Sequence, residues 1–151
     1  MSTNAAIPVS TLDEVLAYRH PGVIRRYMKE QHATHEDAEE VFLEMLKYLY
    51  VSYRGMVSEP EPFGCVVSEE IEKIDWMWHT FLLFTLDYAR FCDRYFGFFL
   101  HHIPNEDEEG QPIDDALFRA TIERQIGLVY DVLGEKTLTT WYDECRYAAA
   151  V

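Results

Sequence analysis

The sequence predicts an all-α protein: a single compact helical domain of about six helices built around a central aromatic-rich helix. Three observations lead there. At 151 residues the chain fits one domain large enough to bury most of a single core. Hydrophobic residues make up 48% and aromatics 15%, enough apolar surface to offset the ordering entropy of folding. Helix caps, helix stops and apolar residues at three- and four-residue spacing recur along the chain, with no internal repeat or linker. The domain is drawn over residues 1–151, with residues 1–9 as a flexible lead-in.

The first helix is expected within "STLDEVLAYR", where Ser10 or Thr11 can cap and Glu14 can complete a capping box. Pro21 suits a first helical position, so "PGVIRRYMKEQ" reads as a second short helix. A longer third follows in "THEDAEEVFLEMLKYLYVSYRG", capped by Thr34 and stopped by Gly55. Its Val41, Phe42, Met45, Leu46, Leu49 and Tyr53 form a core-facing stripe, and its acidic start complements the helix dipole. The two prolines and glycine of "SEPEPFGCVVS" mark a loop. From a Ser68 cap, residues 69–95 form the central helix, apolar on most sides and bent near Thr85, with Gly97 as its stop. "FFLHHIP" should be extended, because Pro104 disfavours helix at Ile103, and "NEDEEGQP" reads as a solvated loop. "DDALFRATIERQIGLVYDVLG", stopped by Gly134, and "TLTTWYDECRYA" complete the set.

Charge narrows the function classes. The 27 acidic residues outnumber 13 basic ones for a net charge of -14, and the only basic cluster, Arg25, Arg26 and Lys29, is small. Such a surface repels phosphate backbones and anionic membranes, so neither nucleic acid nor membrane is an expected partner. The apolar run at 74–86 is shorter than a bilayer-crossing helix and contains Asp75 and His79. The N-terminus lacks the basic and apolar regions of a secretory signal, and Cys65, Cys92 and Cys145 are an odd, widely spaced set. A reducing, cytoplasmic location is expected.

The chemistry-bearing residues gather in "IDWMWHTFLLFTLDYARFCDRYFGFFLHHIP". Glu72, Asp75 and His79 are spaced i, i+3, i+7 and so share an arc of roughly 60° on one helix face. A carboxylate and an imidazole four residues apart can bind one divalent ion, most simply zinc, with a third ligand from His101 or His102. Adjacent residues of an extended segment point to opposite sides, so one of that pair should face the helix; we favour His101, with Glu72 as the optional fourth ligand. In a simpler reading Asp75 and His79 are a hydrogen-bonded pair inside a helical core, or Asp75 fixes the His79 tautomer without touching an ion. Cys92 lies thirteen residues after His79, off the Asp-His face, and reads as a small buried thiol rather than a nucleophile. His32 and His35 fall in a polar helix start and read as solvated. Trp76, Trp78, Phe81, Phe84, Tyr88, Phe91, Tyr95 and Phe96 read as core.

These residues also carry a resemblance. Asp75, Trp78, His79, Thr85, Tyr88, Cys92, Phe96, Gly97, His101, His102 and Pro104 follow the order found in the glycine-rich-domain-containing-protein-like family, continuing more weakly through Tyr130, Gly134 and Trp141. The resemblance implies a shared site at Asp75, His79 and the 101–102 pair, and no established reaction. Two departures stand out. Phe81 takes the place where many relatives have a second histidine, and the acidic "PNEDEEG" replaces a Pro-Tyr-Phe-Gly continuation.

The functional expectation is a helical protein in which Asp75, His79 and His101 or His102 hold a divalent metal. As an enzyme it would keep one coordination position for water. The alternative is a metal-free interaction module that docks the basic surface of a protein partner through its own acidic surface.

Overall fold

The computed structural model describes residues 10–58, 69–102 and 115–142. Among them the chain forms seven α-helices and no strand: α1 (Leu12–Leu16), α2 (Pro21–Gln31), α3 (His35–Ser58), α4 (Glu69–Leu83), α5 (Thr85–Tyr95), α6 (Asp115–Leu133) and α7 (Glu135–Tyr142). The readings made for the lead-in at 1–9, the loop at 59–68 with its Ser68 cap, Pro104, the acidic loop, Cys65, Cys145 and the chain past Tyr142 fall outside the described residues.

Local chemistry explains most helix ends. Thr11 caps α1 in a full capping box, accepting from the Glu14 N–H at 3.2 Å while the Glu14 carboxylate accepts from the Thr11 N–H at 2.8 Å. Thr34 accepts from the Asp37 N–H at 3.1 Å ahead of α3. Gly134 stops α6 at φ 92°, its N–H bonding the Val129 and Tyr130 carbonyls, and Gly97 follows α5 at φ 82° with its N–H on the Cys92 carbonyl. Gly55 does not stop α3. It is buried within that helix, which runs on past it to Ser58 with Met56 and Val57 half-buried against the core.

The expected central helix is two helices. At Phe84 the backbone leaves helical geometry (φ -91°, ψ 65°), and its N–H turns back to the Phe81 carbonyl at 2.9 Å. The bend foreseen near Thr85 therefore raises the helix count. The centre is shared: α3 packs against α1, α2, α4 and α6, and α4 against α2, α3, α5 and α7. Phe42, Met45, Leu46, Leu49 and Tyr53 of the α3 stripe are buried, with Val41 half-buried at its edge. They meet an aromatic cluster in which Phe81, Phe91 and Tyr18 pack at 4.8–5.9 Å between ring centres. Trp76 departs from the core assignment: it is 48% exposed, because its position on α4 lies on the solvent side of the helix. Among the described residues no helix is long and apolar enough to cross a membrane.

Candidate metal centre

The extended segment after α5 is seated by side chains whose polar tips reach out of the aromatic core. The indole N–H of Trp78 donates to the Tyr88 hydroxyl at 3.1 Å, and that hydroxyl donates to the Leu100 carbonyl at 2.5 Å. The Leu100 backbone also faces the Cys92 thiol, which lowers that thiol's pKa against the larger effect of burial. Tyr88 and Cys92 are one helical turn apart on α5 and both buried; burial pushes the Tyr88 phenol and the Cys92 thiol up from their ordinary values, keeping both protonated. Cys92 is thus packed and protonated, the state of an unreactive thiol.

Seating Leu100 fixes the parity of the two histidines after it. Leu100 is 3% exposed, so alternation turns His101 outward and His102 back toward α4. The exposed His101 ring packs on Phe99 at 4.8 Å. His102 lies with its ring 4.4 Å from Trp78, its Nε2 2.6 Å from Asp75 Oδ1 and 3.1 Å from His79 Nε2. His79 Nε2 is 3.4 Å from Asp75 Oδ2 across one turn of α4. One ligand atom from each of Asp75, His79 and His102 therefore lies within 4.8 Å of the others. The preference for His101 gives way to His102, because a buried Leu100 leaves only the second histidine on the α4 side.

Glu72 shares the helix face but not the cluster. It is exposed and stands seven residues before His79, roughly 10 Å along the axis, while His102 arrives level with Asp75 and His79. His32 and His35 are exposed and distant in role: His32 ends α2 at φ 54°, and His35 stands 3.7 Å from Glu39.

The three-residue cluster sits at the surface, with side-chain exposures of 29% for Asp75, 44% for His79 and 19% for His102. Its proton accounting is awkward. A ring nitrogen carries one proton or one lone pair, yet His102 Nε2 has two neighbours within hydrogen-bonding distance, and a single proton cannot point at both. A cation placed between the three atoms would meet a lone pair from each.

One histidine escaped the sequence reading. His20 caps α2, its Nδ1 accepting from the Val23 N–H at 3.1 Å while its Nε2 lies 2.8 Å from Asp87 Oδ2 on α5. Since Nδ1 accepts, Nε2 carries the proton and donates to Asp87. The signal was present: Pro21 at the first helical position makes residue 20 the cap.

A cleft of about 740 Å³ opens elsewhere, between α2, α3, α4 and α7, with Tyr27, Glu44, Lys47, Lys73, Ile74 and Lys136 among its walls. None of the three cluster residues lines it. Its carboxylate Glu44 is already engaged, accepting from the Trp141 indole at 2.7 Å and from Lys47 at 2.9 Å. Among the described residues the cluster, not the cleft, is where side-chain atoms able to ligate a metal converge.

The family profile described as UCP032817-like matches residues 12–123, which include α1 to α5, part of α6 and all three cluster residues. The chain belongs to the UCP032817-like family. No curated protein and no solved structure matches it. Within this UCP032817-like chain, the matched range therefore covers both elements that build the cluster, α4 and the segment after α5.

Proposed function

We propose that Asp75, His79 and His102 hold a divalent cation, most simply zinc, with water in the remaining position. The observation that carries this reading is the approach of His79 Nε2 and His102 Nε2 to 3.1 Å beside a carboxylate. Two imidazole nitrogens at 2.0–2.1 Å from a tetrahedral zinc stand roughly 3.3 Å apart, so the pair needs almost no adjustment. The Asp75–His102 contact at 2.6 Å would open by roughly 0.7 Å as a shared proton gives way to the ion. The donor set suits zinc or a similar ion: two imidazoles and one carboxylate, with no thiolate. Trp78 and the Leu100 seat supply the rigid backing that holds a ligand ring in orientation. The resemblance to the glycine-rich-domain-containing-protein-like family supports the same residues, since Asp75, His79 and His102 all belong to the shared pattern.

Three protein ligands with a solvent-facing fourth position suit a working centre better than a closed structural one. Such an ion acts as a Lewis acid or lowers the pKa of a bound water to supply hydroxide, the chemistry of a hydrolytic reaction. The decisive experiment is elemental analysis and zinc titration of untagged protein beside His79→Ala and His102→Ala, with far-UV circular dichroism as the fold control. Stoichiometric metal in the wild type, lost in both folded variants, is the expected result. A wild type that takes up no zinc, iron or manganese would leave the trio a hydrogen-bonded network and return the acidic docking reading to the front.

A further inference from the structure

Among the described residues exposed large apolar side chains are few and unevenly placed. They are Trp76, Leu83, Leu86, Phe98, Phe99 and Tyr130. Four of the six, Trp76, Leu83, Phe98 and Phe99, sit on α4 or on the segment that carries His102, the two elements that build the cluster. Isolated exposed hydrophobics need no explanation, but several flanking one set of convergent polar atoms do.

The arrangement on α4 is specific. At 100° per residue, Trp76 and Leu83 both lie within about 60° of His79, on the side away from Asp75. His79 thus stands between its carboxylate partner and an apolar strip. The Trp76 ring meets His79 edge-on at 5.5 Å while remaining 48% exposed, and Leu83, one turn beyond His79, is 60% exposed. Helical side chains lean toward the N-terminus, which carries Leu83 back over the turn at His79. The charge at the cluster points the same way: a divalent ion held by one carboxylate and two neutral imidazoles keeps one net positive charge, which favours an anionic group in the open position.

We infer that the centre takes a ligand with an anionic, oxygen-bearing head and an apolar or aromatic tail, the head at Asp75, His79 and His102 and the tail along Trp76 and Leu83. This rests on the metal reading above and adds the class of ligand to it: the carboxylate of a hydrophobic compound. Stacking and burial of one ring on this strip is worth about tenfold in affinity.

The test uses zinc-loaded protein and two probes, acetohydroxamate and benzohydroxamate, which share a metal-binding head and differ in the tail. Isothermal titration should give benzohydroxamate about tenfold tighter binding to the wild type. In Trp76→Ala and Leu83→Ala that preference should shrink to about threefold or less, with zinc affinity held within about threefold. Two variants are needed because Trp76 packs edge-on against the His79 ring, whereas Leu83 is anchored one helical turn beyond it. Comparing preferences between wild type and variants cancels the intrinsic difference between the probes. If zinc binds and both hydroxamates bind alike, or the preference survives in both variants, this inference is overturned and the metal reading stands. If the wild type binds no zinc, both fall together.

Discussion

Replacing Tyr88 by phenylalanine removes one oxygen and tests how the centre is assembled. In the native protein that hydroxyl is both acceptor and donor: it takes the Trp78 indole N–H at 3.1 Å and gives its own proton to the Leu100 carbonyl at 2.5 Å. Tyr88, Trp78 and Leu100 are 1%, 6% and 3% exposed, so water does not readily replace the lost partner. Each orphaned buried group costs about 1–3 kcal/mol. Two groups are orphaned, the Trp78 indole N–H and the Leu100 carbonyl, which puts the expected loss at about 2–4 kcal/mol. For a domain of this size that lowers Tm by roughly 5–15 °C. The same change should weaken metal binding by about 10–100-fold, the range for losing an outer supporting partner, because Leu100 sets the parity that turns His102 inward. Denaturant unfolding and zinc titration of Tyr88→Phe measure both. Stability within about 0.5 kcal/mol of wild type together with unchanged zinc affinity would refute the argument that this hydroxyl seats the segment.

The same geometry sets three further outcomes. His20→Ala should cost about 1–2 kcal/mol by thermal unfolding, since it uncaps α2 and releases Asp87, and His20→Asn should recover part of it as a cap that cannot reach α5. Alkaline pH should destabilise the fold: Tyr18 is pushed up to about 12 by burial and by the Asp87 charge, and Tyr88 is raised further by burial. A raised folded value means their contribution is complete below the ordinary tyrosine value of 10.0 and is lost as pH climbs through the folded one, so tyrosinate absorbance and loss of ellipticity should rise together above that point. Cys92 should resist alkylation in the native state and react on unfolding, because it is 0% exposed with its thiol pushed up by burial; rapid native labelling of Cys92, located by peptide mapping, would contradict that placement.

What was legible in the sequence was local. The capping box of Thr11 and Glu14, the Thr34 cap, the glycine after α6 and the stripe from Phe42 to Tyr53 each depend on residues within a turn or two of one another. Asp75 and His79 came from the same kind of reasoning, four residues apart on one helix. The choice between His101 and His102 did not, because it is settled by the Leu100 carbonyl accepting from Tyr88, twelve positions away on another element. Part of that answer was nonetheless available: in "FFLHH" the alternation that buries Leu100 must also turn His102 inward. Trp76 was misplaced for a related reason, since an aromatic-rich helix leaves the identity of its solvent side undecided until its neighbours are in place.

The cluster joins one rigid element to one irregular one, and that division has an energetic consequence. Asp75 and His79 are held by α4 whatever the chain beyond it does, whereas His102 reaches them only while the segment after α5 is seated on Trp78, Tyr88 and Cys92. With no ion, His102 Nε2 has one proton for its two neighbours Asp75 and His79, so at this partly exposed position it adds only about 1 kcal/mol to the Leu100 seat that orders the segment. Any ion that binds all three atoms binds the seated state more tightly than the unseated one, which offers only Asp75 and His79, so ion binding and ordering of the segment are coupled. The aromatic network behind His102 then has two tasks: it buries the core of the α4–α5 pair, and it lowers the ordering cost that a ligand at the surface would otherwise have to meet.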